Sequence, residues 1–223
     1  MSLSRVLAVA EAQVHDVLRR RLALAILVLL PVAFYLSVGG ETDFALVAGG
    51  IGMAWTVAGA ALFLALASRR VDQRLVLAGY RPVEILGGRL LFLEGLTLLL
   101  VVAFSALMAT LSRPPRPDAL VLALALTGLV AVPIGLAIAS FFAHELEASL
   151  TLIGVVGIEM SLPVDSWLAP FLPLYGPLEV LRVALGDGAE LTLPVLHALG
   201  SALVLFAVAA AIWHRRTRVL RMP

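Results

Sequence analysis

The chain has 223 residues, of which 61% are hydrophobic and 14% charged. A soluble domain carries about 25% charged residues, so there is too little polar surface here to cover the molecule in water, and lipid is the expected solvent. The net charge of +1 excludes nothing by itself, but cysteine is absent and all 16 basic residues are Arg, which excludes disulfides, thiolate metal sites, a Schiff-base lysine and a phosphate loop of the GxxxxGK[ST] kind.

Residues 3–18 place Leu3, Val6, Leu7, Ala10, Val14, Val17 and Leu18 at helical spacing, with Arg5, Glu11, Gln13 and Asp16 elsewhere around the wheel. This pattern predicts an interfacial helix within residues 1–20, lying along a leaflet before the chain enters the membrane. The first apolar run, 22–38, exceeds the roughly 7–15 residues of a signal-peptide core and reads as an uncleaved membrane helix. About 20 apolar residues cross a bilayer at about 1.5 Å rise each. Six segments approach or meet that length: 22–38, 44–67, 88–111, 119–142, 147–163 and 192–213. In lipid every backbone donor and acceptor must be satisfied within its own segment, so the spans are expected to be helices. The predicted fold is a single all-α membrane domain over 1–223 with six transmembrane helices. Pro31 and Pro133 fall inside spans and predict kinks.

The arginines set the orientation. With the N-terminus inside, the inner pieces hold Arg5, Arg19, Arg20, Arg21, Arg69, Arg70, Arg74, Arg81, Arg89, Arg215, Arg216, Arg218 and Arg221, and the outer pieces hold Arg113, Arg116 and Arg182. That strong positive-inside bias predicts both termini in the cytoplasm. One inner loop, 143–149, dissents, with Glu145, Glu147 and no Arg.

Residues 68–89 carry five arginines, which anionic lipid alone would explain. Lipid does not explain the apolar set Val71, Leu75, Val76 and Leu77 followed by a break from Gly79 to Pro82. A short amphipathic helix, a turn and a second helical start fit better, and such an element over 68–87 offers a protein partner a docking face. The outer counterpart, 164–188 with Pro163 just before it, holds Pro170, Pro173, Pro177, Trp167 and Tyr175 in an apolar stretch. It is expected at the outer interface as short helices that dip in and return, one of them over 178–185.

Glu94 and Glu159 are acidic residues inside predicted spans, where charge is costly, and are the candidates for a substrate pathway. Glu94 lies about 9 Å past Gly88 along the helix, within snorkelling reach of the inner boundary. Gly50, Ala54 and Ala58, and separately Gly135 and Ala139, form small-residue stripes that permit close helix approach, expected to serve packing within the chain. His144-Glu145 does not extend to HExxH, there is no GxSxG turn, and His15, His144, His197 and His214 are too dispersed for a local metal pattern,.

This order of parts resembles the permease subunits of type-two ATP-binding-cassette (ABC) exporters. The resemblance covers the whole chain as architecture, with local echoes in Arg69-Arg70-Val71-Asp72 through Leu75, Leu77, Pro82, Ile85, Leu86 and Gly88-Arg89, and in Pro170, Leu174, Pro177 and Leu181-Arg182. The chain departs from the family's frequent Gly-Thr-Glu stretch, having Val71-Asp72-Gln73-Arg74 there. The resemblance implies a coupling helix, an outer re-entrant segment and a dimer with a second permease copy or a homologous permease, seamed by spans one and five. It implies no catalytic residue and no cofactor in this chain, with ATP and magnesium held by a partner ATPase. The ATPase-docking residues would be Arg70, Asp72, Arg74, Leu75, Leu77, Tyr80 and Arg81, in a prokaryotic inner membrane, with no nucleic-acid partner. The expected function is outward transport of a hydrophobic or amphipathic substrate. A heme-exporter-type permease, a proton-coupled carrier using Glu94 or Glu159, and a non-transport scaffold are the alternatives.

Overall fold

The computed structural model describes residues 2–40, 42–162, 166–188 and 190–219, and all its regular structure is helical. Pro163 and Arg221, both used in the sequence reading, lie outside the described residues. In chain order the helices are α1 (Leu3–Arg19), α2 (Arg21–Ser37), α3 (Asp43–Ala67), α4 (Arg69–Leu77), α5 (Pro82–Ser112), α6 (Pro117–Phe141), α7 (Glu145–Ser161), α8 (Tyr175–Ala184) and α9 (Thr192–Val219), with a 3-10 turn at Ala169–Phe171 before α8. Local chemistry sets several boundaries. Pro82 and Pro117 open α5 and α6, where a missing N–H costs nothing,. The Thr42 hydroxyl accepts from the Ala45 N–H to cap α3,.

Among the described residues, four helices are long and apolar enough to cross a membrane: α3, α5, α6 and α9. Their outward faces are apolar as well. Leu98, Leu99 and Val102 on α5 and Leu196, Leu203 and Val204 on α9 are exposed, and a band of this kind suits lipid rather than water. The chain is therefore read as a multi-pass membrane protein. The remaining two end-to-end helices, α2 and α7, have 17 residues each, about 25 Å of helix against an apolar bilayer core of about 30 Å. Pro31 and Pro133 both lie within their helices, as expected.

The core is centred on α6, which packs on α3, α5, α8 and α9. Its middle turn, Val130 to Val132, is completely buried, in the same core cluster as Ala61 and Leu62 of α3. The small residues make this contact possible. A Cβ on Gly135 would collide with the backbone carbonyl of Ala58 and come within 2.9 Å of the Ala61 Cβ. Gly135→Val should therefore destabilise the protein by about 3 kcal/mol, the cost of overpacking a seam that cannot relax. Thermal unfolding in detergent checks this, and an unchanged midpoint would contradict the α3–α6 contact.

The connections sort to two ends. At one end the Ser112 hydroxyl donates to the Gly40 carbonyl and bonds the Tyr35 hydroxyl, and the Arg116 N–H donates to Ala184 of α8. That end gathers the α2–α3 loop, the α5–α6 loop and α8. At the other end Arg69, which opens α4, donates to the carbonyls of Ala139, Phe142 and Ala143 at the close of α6. This is the α4 end, and it also holds α1.

Candidate functional site

The short helix α4 is set off from the bundle by its own residues. It stops where Gly79 takes a left-handed conformation (φ 88), with the Tyr80 N–H reaching back to the Leu75 carbonyl and the Gly79 N–H to Val76. Glycine takes that conformation without the steric penalty of a side chain. The turn then releases the chain into Pro82 and α5, so the predicted helix, break and second start are all present. The second start is not separate from span three, however: it is the first turn of one continuous helix, Pro82–Ser112.

One face of α4 is fastened to the bundle. Both oxygens of Asp72 accept from Arg89 Nη2 at 2.9 Å, and the same nitrogen donates to the Ser68 hydroxyl. Asp72 and Arg89 are only 6% and 3% exposed. Burial pushes the Asp72 carboxyl above its ordinary value, against the pull of Arg89,. The Trp213 ring of α9 lies beneath the Arg89 guanidinium, 5.6 Å from it,. Arg69 meanwhile places its charge on the carbonyl end of α6, where the helix dipole favours a cation. The two arginines and the aspartate thus join α4 to α5 and α6, with Ser68, between α3 and α4, in the same network and Trp213 of α9 lying against Arg89.

The other face of α4 points away. Arg70, Val71, Gln73, Arg74 and Leu77 are exposed, as is Arg81 beyond the turn. Of the residues expected to dock an ATPase, Arg70, Arg74, Leu77 and Arg81 lie on this open face. Asp72 is turned inward to Arg89. Leu75 and Tyr80 are half-buried against the small cluster of Val9, Val76 and Ile85.

The N-terminal helix secures the turn after α4. Arg5 donates to the Gly79 carbonyl at 2.8 Å, lies 3.5 Å from Glu84, and stacks over the Tyr80 ring at 5.2 Å. The Ser2 N–H donates to Glu84 Oε1 and the Arg81 N–H to Glu84 Oε2. Val6, Val9, Ala10 and Gln13 are buried where α1 crosses α5 at Gly88, a crossing so close that a Cβ on Gly88 would come within 2.6 Å of the Val6 carbonyl. Leu3, Leu7, Val14 and Leu18 form a separate exposed stripe. The helix therefore has a packing face and a free apolar face, the latter matching its expected place along a leaflet.

The two acidic candidates are held differently. Glu94 is half-buried on α5, and no described residue bonds its carboxylate. Glu159, 5% exposed, accepts from the Leu174 N–H at 3.0 and 3.3 Å. Leu174 is the residue that caps α8, so Glu159 ties the N-terminus of α8 to α7. Across α8, the Nε2–H of His197 donates to the Pro170 carbonyl at 2.8 Å. Glu159→Ala should cost about 1–3 kcal/mol, leaving a buried N–H without its acceptor, while Glu159→Gln, which keeps an acceptor oxygen, should cost much less. Detergent melting curves of both variants test this, and equal stability of Ala and wild type would remove the tie.

Among the described residues, two cavities bear on the site. One, of about 350 Å³, lies inside the α4 end and includes Arg69, Asp72, Arg89 and Trp213 in its wall. The second, of about 470 Å³, runs between α2, α3, α5 and α7 and is almost wholly apolar, with Leu30, Trp55, Phe63, Phe92 and Leu152 among its walls. Neither Glu94 nor Glu159 lines either cavity. Among the described residues no three His, Asp or Glu side chains converge as a metal site. Sequence reasoning counted Arg89 as a topological charge and as part of the Gly88-Arg89 echo, without its partner Asp72, and did not single out Glu84 or Trp213. The one local signal was the Gly87-Gly88 pair beside Arg89, which marks a close helix crossing. Neither a protein-family model nor a curated protein matches this chain.

Proposed function

We propose that this chain is the membrane-spanning subunit of an ABC exporter, with α4 as the coupling helix that a separate ATPase grips. The observation that carries the reading is the two-sidedness of α4. Its inner face is bolted to the span ends through Asp72, Arg89 and Arg69, and its outer face presents Val71 and Leu77 among Arg70, Arg74 and Arg81. A lever needs both a free grip and a rigid attachment, and α4 has each.

In this reading α2, α3, α5, α6, α7 and α9 are six spans. The α4 end, where arginine is concentrated, faces the cytosol of a prokaryotic cell together with both termini. The segment at 166–188 is the outer re-entrant element, held to α7 by Glu159. The apolar cavity between α2, α3, α5 and α7 suits the body of a hydrophobic or amphipathic substrate. It borders the two shorter helices, whose other leucines (Leu22 and Leu29 on α2; Leu146 and Leu150 on α7) are exposed and offer a seam to a second permease copy. ATP and magnesium belong to the partner ATPase. The direct experiment is affinity capture of the tagged chain from native membranes, with ATP hydrolysis measured on the captured material. Hydrolysis that depends on magnesium and disappears when the α4 outer face is altered supports the proposal. Capture of the chain with no hydrolytic subunit counts against it.

A further inference from the structure

The cavity between α2, α3, α5 and α7 has the depth of one leaflet and a charged mouth. Along α3 its wall extends from Ala67, at the α4 end, to Trp55, a helix length of about 18 Å. Trp55 stands at the midpoint of α3 (Asp43–Ala67), so the cavity runs from the α4 end to the middle of a hydrocarbon core about 30 Å thick. Spread over that length, its volume of about 470 Å³ leaves a slot of about 26 Å² in section,. That is room for one hydrocarbon chain and not for two abreast. The hydroxyls of Thr56 and Ser149 in the wall are spent on carbonyls of their own helices, Gly52 and Glu145, so the interior offers a chain little but apolar contact.

The slot opens sideways. Ile26 of α2, Phe63 of α3 and Ile153 of α7 line it and are also exposed, which lets a ligand enter out of the lipid. Packing does not require the space either. A Cβ on Gly59, in the wall of the slot, would meet only Leu152, at an ordinary 3.9 Å, whereas at Gly52, two turns earlier, it would come within 2.7 Å of Phe34. Gly52 is small because α2 crosses it. Gly59 keeps a space clear, although glycine weakens a helix interior relative to alanine.

At the α4 end the mouth carries Asp16 and Arg20, paired at 3.0 Å with each side chain about half exposed. An ion pair in water is held weakly, so both partners can turn to a ligand. One anion and one cation beside an apolar slot match a zwitterionic head on a hydrocarbon chain, with phosphate oxygens on Arg20 and an ammonium on Asp16.

We infer that this cavity binds a single-chain zwitterionic amphiphile of the lysophospholipid class, its chain in the slot toward Trp55 and its head on Asp16 and Arg20. That such a molecule is the exported substrate rests on the exporter reading and deepens it; that it binds rests on the cavity alone.

The test places the full-length chain in nanodiscs of dioleoylphosphatidylcholine and adds lysophosphatidylcholine with a diazirine at the end of its acyl chain, the crosslinks being mapped by mass spectrometry. Labelling should concentrate at Trp55, Leu30 and Leu96, about tenfold over Leu203 and Val204 on the exposed face of α9. Gly59→Phe, which fills the slot, and Ile153→Trp, which narrows its exposed side, should each lower slot labelling about tenfold. If Gly59→Phe does not fold, Ile153→Trp carries the comparison. Slot labelling no stronger than that of α9, or undiminished in a folded variant, would overturn the inference. Diacyl phosphatidylcholine with the same diazirine should label the slot about tenfold less, and equal labelling would overturn the single-chain assignment in favour of an ordinary bilayer lipid. Diazirine-bearing palmitate, whose head is only anionic, should label about threefold less than the zwitterion, a difference that should vanish in the double variant Asp16→Ala, Arg20→Ala. No difference in the wild type would overturn the assignment of the head. The discs contain no ATPase, so a failure of binding is read apart from a failure of the exporter reading, which ATPase capture decides.

Discussion

If the proposed exporter reading holds, replacing Val71 and Leu77 together with Asp should lower association with a partner ATPase at least a hundredfold while leaving the chain inserted and folded. Both side chains are exposed, Leu77 at 76% and Val71 at 53%, so the substitutions disturb no packing inside the chain. Burying an apolar side chain of this size in a partner is worth about 1.5–3 kcal/mol. Losing two such contacts and introducing two carboxylates that must be desolvated removes well over the roughly 2.7 kcal/mol that a hundredfold requires. Quantitative co-purification at matched expression is the measurement, with detergent melting as the control for folding. Undiminished association would mean that the outer face of α4 is not the grip. Leu75, which the sequence places in the same apolar set, is the wrong residue for this experiment. It is half-buried against Val76 and Ile85, and a charge there would injure the fold.

The second large effect lies at the bolt. Asp72→Asn should cost about 3–5 kcal/mol, because it leaves the Arg89 guanidinium buried without its counter-charge; the midpoint of thermal unfolding should fall on the order of 10 °C. Arg89→Gln should cost less, and the difference has a sign that pH reveals. Arginine cannot shed its proton, whereas Asp72, already pushed upward by burial, neutralises itself by taking one. A carboxyl with a folded-state pKa above its unfolded value stabilises the protein as pH falls through that raised value and loses the contribution as pH rises. Arg89→Gln should therefore recover toward wild-type stability as pH falls, and Asp72→Asn should not. The double variant Asp72→Asn, Arg89→Gln, a neutral amide pair, should lie above Asp72→Asn alone. Equal and pH-independent losses in both single variants would show that the pair does not carry the joint.

Much of this architecture is legible in the sequence because its causes are local. The apolar run lengths place α2, α3, α6 and α7 within two residues of their observed bounds, whereas α5 opens six residues ahead of its run and α9 continues six beyond. The Gly79 to Pro82 break is where the chain turns, since a left-handed glycine and a proline at a helix start act on their own neighbours. The short helix expected at 178–185 begins a turn earlier, at Tyr175, because Pro177 is tolerated in a first helical turn,.

Other features are set by partners distant in the chain, and hydropathy and spacing say nothing about those. Arg89 reads as one more positive-inside charge until Asp72, 17 positions earlier on another helix, is brought against it. Gly88 reads as the boundary of a span, although its small size serves the crossing of α1 over α5. Glu159 reads as a possible proton carrier, and the Leu174 N–H that occupies it belongs to a segment beyond the end of α7. Exposure also re-sorts the docking candidates. Asp72 shares a helix with Leu77 but faces the other way, a distinction that a nine-residue helix with charges on both sides does not announce.

The account depends on the outer face of α4 lying in the cytosol under an ATPase. Since the chain contains no cysteine, Leu77→Cys creates a unique label site at an exposed position. A membrane-impermeant maleimide should modify it in inside-out vesicles and not in intact cells, and the bound ATPase should shield it. Labelling from the outside of intact cells, or labelling in inside-out vesicles that the ATPase does not slow, would contradict the account.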